Sequence, residues 1–333
     1  MQAKFDELVR HYFEDCSSYE MEPVPFGLTN LTRVITIHDV NYIARIYNPH
    51  TKNVPSLELE SRITSYLSQS GLSFQVPVFL RTLTGDEYIQ FADGTLGAVV
   101  SFLEGSPPEL TDTGQAYGFG RVVGEISSAL SHCDTRGLGF RGISFMNIYK
   151  LHPLADHRTV ASFIDEPPFH IPEDDQNFYR EMVSLVERSI SQLQQLPAQL
   201  VHHDLLVFNL LARDNQICGV LDFDFTSMDA GFMEFAISLN HILQLSDGSL
   251  DMMDAFVKGY AAFRKSSGEE IDQLQLLTQV YHIAVLHIYI GQHYAGKDAE
   301  QPFKYILAQF RDRNDWLNDN WEATRRLLET CLL

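Results

Sequence analysis

A short apolar run near the middle of the chain contains polar side chains that could do chemistry. The run Val201–Leu211 carries His202, Asp204 and Asn209 among large aliphatic residues, and Asp222 follows Asn209 by thirteen positions. Carboxylate and amide oxygens are the ligands that hard cations such as Mg²⁺ prefer. Two aspartates held close together repel each other unless a cation lies nearby. Each residue alone could cap a turn or satisfy a loop, but the combined spacing favours a cation site.

The neighbouring elements must bring these residues to one point. Residues Phe208–Ala212 and Ile217–Phe223 have the composition of strands, and Asp214 and Asn215 between them favour a turn. The two segments therefore predict a hairpin. The asparagine stands at the start of the outgoing strand and the second aspartate at the end of the returning one. We expect both to project near the open end, with the first aspartate just upstream.

The spacing H-x-D-x₄-N, followed by D-F, is that of the phosphoryl-transfer motif of kinases. Together with "GVLDFDFTSMDAGFMEFAISLN" at residues 219–240, it resembles the aminoglycoside phosphotransferase and choline kinase superfamily. The resemblance is closest to the type II homoserine kinase branch, which has a similar D-F-x-F, then an aspartate, then an apolar helix ending in L-N. It covers most of the chain and is strongest over residues 201–240. It implies a protein-kinase-like, bilobal α+β fold with the active site in the cleft between the lobes.

The resemblance implies a role for each matched residue. Asp204 would orient the acceptor hydroxyl and accept its proton. Asn209 and Asp222 would hold Mg²⁺ against the phosphates of ATP. Asp224 is expected on the same strand face as Asp222, and it would either help to hold a metal ion or end the strand. His202 would brace the loop through hydrogen bonds.

A kinase also needs a cation on the nucleotide phosphates and a carboxylate that holds this cation. This chain has Arg45, in "YIARIY", where the superfamily usually has lysine. Arginine binds phosphate bidentately, so it is a competent substitute; a solvated arginine on an edge strand is the alternative. The partner would be Glu60 on a helix predicted at Ser56–Gln69, and Glu58 is its rival on a different helix face.

The phosphate loop and the adenine site have weaker signals. In "PFGLTNLTRV", Gly27 and Asn30 fit the G-x-x-N-like loop of the relatives, and a plain hairpin turn fits equally well. The adenine would lie against the hinge "VVSFLEG" through backbone groups of Ser101 and Leu103. The resemblance alone implies this last contact.

The acceptor side contains several open alternatives. Asp229 is predicted to cap the following helix, with contact to a substrate amine as the alternative. Glu234 stands where many relatives have aspartate, and we expect a structural role. His203 fills a variable position of the motif and is expected to be incidental. Tyr281, Tyr289 and Tyr294 could line an acceptor pocket or be ordinary core residues, so the sequence does not name the acceptor.

The rest of the chain divides into a β-rich part and a helical part. Strand signals such as Val34–His38 and Tyr42–Tyr47 lie early in the sequence, and helical periodicity dominates later. We expect a nucleotide-binding lobe at residues 1–103, a hinge at Ser101–Gly105, and a helical catalytic and substrate lobe at residues 104–333. The later helices are predicted at Thr113–Ser131, Asp174–Gln195, Asp229–Gln244, Leu250–Lys265 and Gln273–Tyr294.

The bulk properties of the 333-residue chain exclude several classes of partner. The net charge of −20 is spread evenly over both predicted lobes, so it indicates solubility and not a trap for a cationic substrate. Such a surface repels nucleic acid and anionic membranes. The four cysteines have no metal-binding spacing, which indicates reduced thiols. We expect a cytoplasmic monomer or homodimer that binds neither nucleic acid nor membrane.

Three functions compete at this point. The first is an ATP- and Mg²⁺-dependent phosphotransferase that moves the γ-phosphate to a hydroxyl of a small molecule, such as an amino alcohol, a homoserine-like or an aminoglycoside-like acceptor. The second is a bacterial stress-type Ser/Thr protein kinase, which the absence of an A-P-E activation segment disfavours. The third is a non-catalytic, nucleotide-binding pseudokinase. Intact Asp204, Asn209 and Asp222 argue against the third function, and Arg45 is its best support.

Overall fold

The computed structural model describes residues 2–16, 18–24, 30–49 and 51–333. Within these residues an antiparallel sheet comes first, and helices dominate the chain after it. The α+β class is confirmed. Gly27, the expected glycine of the phosphate loop, lies outside the described residues.

The first sheet has five strands in the order β1-β2-β3-β5-β4, each pair antiparallel. The strands predicted at Val34–His38 and Tyr42–Tyr47 are confirmed, but each is longer than expected and starts earlier in the chain. His38 and Asp39 adopt positive φ and form the turn, so Val40 already pairs with Ile37. The elements of this part are α1 (Gln2–Tyr12), β1 (Glu20–Pro23), β2 (Leu31–Ile37), β3 (Val40–Ile46), α2 (Val54–Ser68), β4 (Ile89–Gln90) and β5 (Leu96–Ser101).

Helix α2 begins earlier than the sequence predicted. The predicted helix started at Ser56, but Asn53 is the N-cap and its side chain accepts from the backbone N–H of Ser56 at 3.0 Å. The Ser56 hydroxyl accepts from the Asn53 N–H in return, which completes a capping box. This reciprocal pair fixes the helix start directly after Lys52, a residue that is central to the site described below.

The helical part contains two small antiparallel pairs of strands, β6 with β9 and β7 with β8. All five predicted helices are present, with ends that differ by up to four residues, whereas the long C-terminal helix was not foreseen. The elements are α3 (Thr113–Ser131), α4 (His157–Asp165), α5 (Glu173–Leu193), β6 (Ala198–Val201), β7 (Leu210–Arg213), β8 (Gln216–Val220), β9 (Ser227–Ala230), α6 (Met233–Leu245), α7 (Leu250–Ala261), α8 (Gly268–Asp272), α9 (Leu274–Tyr294) and α10 (Glu300–Leu332).

Helix α9 forms the centre of the helical core. It is apolar on nearly all sides and packs against α5, α6 and α10. In the part of the chain that the structure describes, it is the one helix whose length and composition would suit a membrane span. Because 78% of its apolar stretch is buried inside the protein, it has the character of a core helix.

Helices α3 and α7 cross at almost backbone contact. A Cβ atom placed on Gly120 of α3 would lie 2.0 Å from the carbonyl oxygen of Phe256 in α7. A Cβ on Gly259 of α7 would lie 2.1 Å from the carbonyl oxygen of Tyr117. No side chain fits at either position, so glycine is what allows the two helices to pack this closely.

The crossing can be tested with two alanine substitutions in α3. Gly120→Ala should lower the free energy of unfolding by about 1–3 kcal/mol, because the helices must move apart. The matched control is Gly118→Ala, where a Cβ meets nothing within 4 Å. It should raise stability by up to about 1 kcal/mol through helix propensity. Equal urea denaturation midpoints for the two variants would contradict the close crossing.

Candidate active site

The predicted hairpin forms and brings the expected residues together at its open end. Asp214 and Asn215 make the turn between β7 and β8 with φ of 50° and 60°. Asn209 closes a 3₁₀ turn directly before β7, and Asp222 lies two residues after β8. The backbone N–H of Leu221 donates to the Asn209 carbonyl at 2.8 Å and joins the two chain ends.

Asp204 is held by the side chain of Asn209. The Asn209 Nδ2 donates to the Asp204 carboxylate at 2.7 Å and to its carbonyl at 2.9 Å. The amide nitrogen is used in this way, so the amide oxygen is the atom that can act as a metal ligand. Burial raises the pKa of Asp204 well above its usual range, and the Asp222 carboxylate raises it further.

Asp222 has the features of a metal-ligand residue, with one carboxylate oxygen that no protein group contacts by a hydrogen bond. Its φ is +61°, a conformation that costs a non-glycine residue free energy and is concentrated at functional sites. Its Oδ1 is buried without a hydrogen-bond partner. Burial raises the pKa of Asp222, and the Asp224 carboxylate adds to this effect. Among the described residues, no three His, Cys, Asp or Glu side chains form a metal cage. The carboxylate oxygen of Asp222 and the amide oxygen of Asn209 are donors that suit Mg²⁺, which usually takes few protein ligands beside phosphate and water.

Asp224 is engaged on both carboxylate oxygens. Asn30 donates to Oδ2 at 2.7 Å, and the Lys52 ammonium lies 2.8 Å from Oδ1. Burial alone would raise the pKa of Asp224, but Lys52 and Arg45 lower it to about 2. This arrangement favours an ion-pair role over metal binding. The strand alternative is wrong, since β8 ends at Val220, before both aspartates.

Glu60 is paired with two cations. Arg45 Nη1 lies 3.2 Å from its Oε1, as the sequence predicted, and Lys52 forms an ion pair with its Oε2. The rival Glu58 instead accepts from the exposed Tyr88 hydroxyl. Burial raises the pKa of Glu60 to about 7, although both cations oppose this change. Sequence reasoning missed Lys52.

His202 has the contacts that a brace requires. Its Nδ1 accepts from the Asp204 backbone N–H at 3.1 Å, and its Nε2 donates to the Leu221 carbonyl at 3.1 Å. The ring thus ties the loop before Asp204 to the segment before Asp222. Burial lowers the pKa of His202 to about 3. Its backbone N–H donates to Glu234 at 2.6 Å, and burial raises the pKa of that carboxyl to about 7.

The expectations for His203 and Asp229 were wrong. His203 is 1% exposed, has φ of +69°, and stacks on Phe145 at a ring-centroid distance of 4.3 Å. Its Nε2 donates to Asp229 Oδ2 at 3.1 Å. Asp229 lies within β9 and caps no helix, because α6 starts later and has Phe232 at its N-cap. The Asp229 carboxylate also accepts from the Ser144 hydroxyl and the Phe145 N–H, both at 2.8 Å.

The described part of the predicted phosphate loop contains Asn30. Its side chain donates to Asp224, as above, and accepts from the Asn48 backbone N–H at 3.1 Å. Both ends of the amide are therefore used within the protein. Its predicted contact with phosphate stays a prediction.

The predicted hinge begins at the end of β5. The Ser101 N–H donates to the Val78 carbonyl at 2.9 Å, and the Ser101 hydroxyl accepts from the Val78 N–H at 2.9 Å. The Ser101 N–H is thus not available to adenine in this arrangement. Leu103 lies beyond the sheet, and its contact with adenine stays a prediction. Ser106 then pairs with Ala212 of β7 by two backbone hydrogen bonds, which fastens the hinge to the hairpin.

Two tyrosines of α9 lie within electrostatic reach of Asp204. Burial raises the pKa of Tyr281 and of Tyr289, and the Asp204 carboxylate contributes in both cases. Tyr281 also stacks against Phe145 in the core. Both alternatives from the sequence, a pocket wall or a core residue, are compatible with this position.

The buried role of Asp229 predicts a large effect on stability. Asp229→Ala leaves the Phe145 N–H and His203 without their acceptor, so the free energy of unfolding should fall by about 2–4 kcal/mol. Ser144→Ala removes one contact and should lower it by about 1 kcal/mol. Denaturant melts of both variants would measure this difference. Equal losses of about 1 kcal/mol would instead match a simple helix cap.

Comparison with known proteins agrees with this geometry. Residues 20–271 match the family described as "Phosphotransferase enzyme family". The homoserine kinase of Sinorhizobium medicae is 24% identical over 278 residues, covering 82% of this chain and 80% of that protein. The homoserine kinase of Methylobacillus flagellatus is 22% identical over 253 residues, covering 75% of this chain and 73% of that protein.

Solved structures share the fold at low sequence identity. An amicoumacin kinase in complex with AMP-PNP and Ca²⁺ superposes with a TM-score of 0.70, 16% identity, and coverage of 94% of this chain and 93% of that chain. A microcompartment-associated aminopropanol kinase has a TM-score of 0.70, 14% identity and coverage of 98% and 99%. Choline kinase from Cryptosporidium parvum superposes with a TM-score of 0.61 and 16% identity, and the match covers 96% of this chain and 94% of that chain. The chain belongs to the phosphotransferase enzyme family, and it is a kinase that acts on a hydroxyl and has a protein-kinase-like fold.

Proposed function

We propose that this kinase moves the γ-phosphate of ATP, with Mg²⁺, to a hydroxyl of a small molecule. One observation carries the proposal. Asn209 holds the Asp204 carboxylate at 2.7 Å, while the buried Asp222 Oδ1 beside it has no hydrogen-bond partner. A protein-substrate kinase and a non-catalytic binding protein stay as outcomes of the tests below.

The cation would be held by Asn209 and Asp222. A bound Mg²⁺ would partly neutralise the charge of the phosphates of ATP. The same ion would relieve the repulsion between the carboxylates of the site. Arg45, anchored by Glu60 at 3.2 Å, is the cation that we assign to the nucleotide phosphates. Arginine suits this position because its planar fork binds two phosphate oxygens.

Asp204 would act on the acceptor. It would hold the acceptor hydroxyl and receive its proton while the hydroxyl oxygen bonds to the γ-phosphorus and the bond to the departing ADP oxygen breaks. The raised pKa of Asp204 increases its affinity for this proton. Orientation remains the larger contribution, since a loose transition state demands little from a base. His202 and Asn209 fix the carboxylate in place from two sides.

The acceptor that we favour is a small amino alcohol or a related amine-bearing alcohol. Relatives named homoserine kinase and structural neighbours named for aminopropanol, choline and amicoumacin support this class. The charge of the site supports the cation rather than the acceptor, because four carboxylates stand against two cations: Asp204, Asp222, Asp224 and Glu60 against Arg45 and Lys52. This negative balance attracts Mg²⁺.

For the lobes, the compartment and the oligomeric state, we propose what the sequence analysis predicted. Residues 1–103 would form the nucleotide-binding lobe and residues 104–333 the catalytic and substrate lobe. All four cysteines are free, which supports a reducing cytoplasm as the compartment. The protein would work as a monomer or homodimer.

The activity can be tested by ADP release against a panel of alcohols, amino alcohols, homoserine and aminoglycosides. We expect turnover with a small acceptor and a loss of at least about 100-fold in Asp204→Ala, because positioning and proton transfer are both lost. Asp251→Ala, at an exposed position of α7, is the matched control and should be as active as the wild type. Transfer to proteins alone would favour the protein kinase. ATP binding without turnover on any acceptor would favour the pseudokinase.

The assignment of Arg45 has its own test. Arg45→Lys should retain activity, since a cation remains beside Glu60. Arg45→Ala should raise the KM for ATP by about 10-fold or more, because a charge-assisted contact is lost. Steady-state kinetics with ATP as the varied substrate measure this effect. Unchanged kinetics in Arg45→Ala would remove Arg45 from the nucleotide site.

A further inference from the structure

His203 is a buried histidine whose two ring nitrogens both face hydrogen-bond acceptors. Its Nδ1 lies 3.1 Å from the Phe225 carbonyl oxygen, and its Nε2 lies 3.1 Å from Asp229 Oδ2. The Ser227 hydroxyl is a more distant neighbour of Nδ1, at 3.5 Å. A carbonyl oxygen only accepts, so Nδ1 must carry a proton. Whether Nε2 carries one too depends on the state of Asp229.

The other contacts of Asp229 are those of an ionised carboxylate. Its Oδ1 accepts from the Ala230 N–H and its Oδ2 from the Phe145 N–H, each at 2.8 Å. Backbone N–H groups only donate, so both oxygens act as acceptors, and such bonds favour the charged form of a carboxyl group. His203 Nε2 must therefore donate as well. A histidine that donates from both ring nitrogens is a positively charged imidazolium.

The groups around His203 are compatible with this charge. Both side chains of the pair with Asp229 are fully buried, and a buried ion pair is tolerated where further hydrogen bonds complete it. Glu234 of α6 is a second carboxylate that faces this histidine. Burial raises the pKa of Glu234 to about 7, and the charge of His203 opposes this rise. The neighbouring His202 stays neutral, because burial lowers its pKa to about 3.

Phe145 connects the charged pair to the acceptor side of the site. Its ring stacks on the His203 ring at a centroid distance of 4.3 Å and on the Tyr281 ring at 6.4 Å, with the planes inclined by 24° and 14°. Burial raises the pKa of Tyr281, and the Asp204 carboxylate adds to this rise. The tyrosine therefore lies within electrostatic reach of the proposed base. The three rings form a continuous stack from the charged pair to the place proposed for the acceptor hydroxyl.

We propose that His203 carries a positive charge and is a positioning residue for the acceptor site. Its pair with Asp229 holds Phe145 in place, and Phe145 in turn supports Tyr281 as a wall of that site. This inference rests on the proposed transfer of phosphate to a small-molecule hydroxyl. It gives the histidine at the variable position of the kinase motif a role in acceptor binding that is separate from nucleotide binding.

The first experiment measures the protonation of the histidine rings in the full-length wild type. Side-chain ¹H–¹⁵N correlation spectra are recorded at about pH 7.5, where an unperturbed histidine is mostly neutral. Both ring nitrogens of His203 should be protonated. The matched control is His282, which is buried, contacts the Thr278 carbonyl through Nδ1 and stacks on Phe310. Burial lowers the pKa of His282 to about 4, so only one of its nitrogens should be protonated.

The second experiment compares the KM for the acceptor with the KM for ATP. The acceptor is whichever of homoserine, aminopropanol and the aminoglycosides turns over fastest with the wild type. His203→Gln removes the charge, and Phe145→Leu removes the middle ring but keeps the charged pair. Each should raise the KM for the acceptor by about 5-fold or more, because the wall of the site is misplaced, and keep the KM for ATP within about 2-fold.

The kinetic control is His282→Gln, which loses a buried ring of the helical core and should leave both KM values unchanged. A merely structural role of His203 would lower the folded fraction, and with it kcat, without a change confined to the acceptor. The split between the two KM values is therefore the readout that distinguishes positioning from stability.

The outcomes separate this inference from the function on which it rests. An unprotonated ring nitrogen on His203 overturns the inference and leaves the kinase function in place. An unchanged acceptor KM in the folded variants, or an equal rise in both KM values, does the same. If His203→Gln does not fold, Phe145→Leu and the wild-type spectrum decide. No turnover with any acceptor overturns the proposed function, and with it the acceptor role of His203, even where the ring is charged.

Discussion

The mutual repulsion of partly buried carboxylates is the constraint on which the site depends. Asp204, Asp222, Asp224 and Glu60 lie in a region with little access to water, where ionised groups are costly unless cations balance them. Arg45 and Lys52 balance Glu60 and Asp224 through direct contacts. Asp222 retains an unsatisfied oxygen, and Asp204 is stabilised by one amide. The imbalance is local, and it marks the place that we propose for the metal ion and the nucleotide phosphates.

The fold brings the charged residues of the site together from distant parts of the chain. A short hairpin holds Asn209 near Asp222, and the His202 ring ties the loop before them to the same point. Asn30 and Lys52 come from around the first sheet and are bound to Asp224. The site is therefore also the junction of the sheet with the helical part. Loss of these ion pairs would disturb the relative placement of the two parts as well as the chemistry.

Local sequence determined what could be predicted. The hairpin and its polar ends follow from turn formers and strand composition within a window of about twenty residues, and Asp204, Asn209 and Asp222 are found where they were expected. The pair of Arg45 and Glu60 was also found, by helix and strand geometry aided by the family resemblance. Lys52 escaped prediction because its partner Asp224 is 172 positions away, and a lysine in a loop is usually solvated.

The errors at His203 and Asp229 have a similar origin. Asp229 precedes an apolar helix and has the composition of a cap, but its hydrogen-bond donors lie about 85 positions earlier in the chain. Tertiary contacts of this kind leave no periodic pattern in the sequence. His203 was judged by its variable place in the motif. Its strained backbone and its buried stack on Phe145 are visible only in the folded protein.

The most direct test of the account is calorimetric titration of AMP-PNP into the wild type and Asp222→Asn, each with and without Mg²⁺. The account predicts that Mg²⁺ strengthens binding to the wild type by about 10-fold or more, as expected for a charged ligand contact. In Asp222→Asn this dependence on Mg²⁺ should be lost while the fold is retained. Equal Mg²⁺ dependence in both proteins would contradict a metal site at Asp222, and with it the role of the hairpin's open end in phosphoryl transfer.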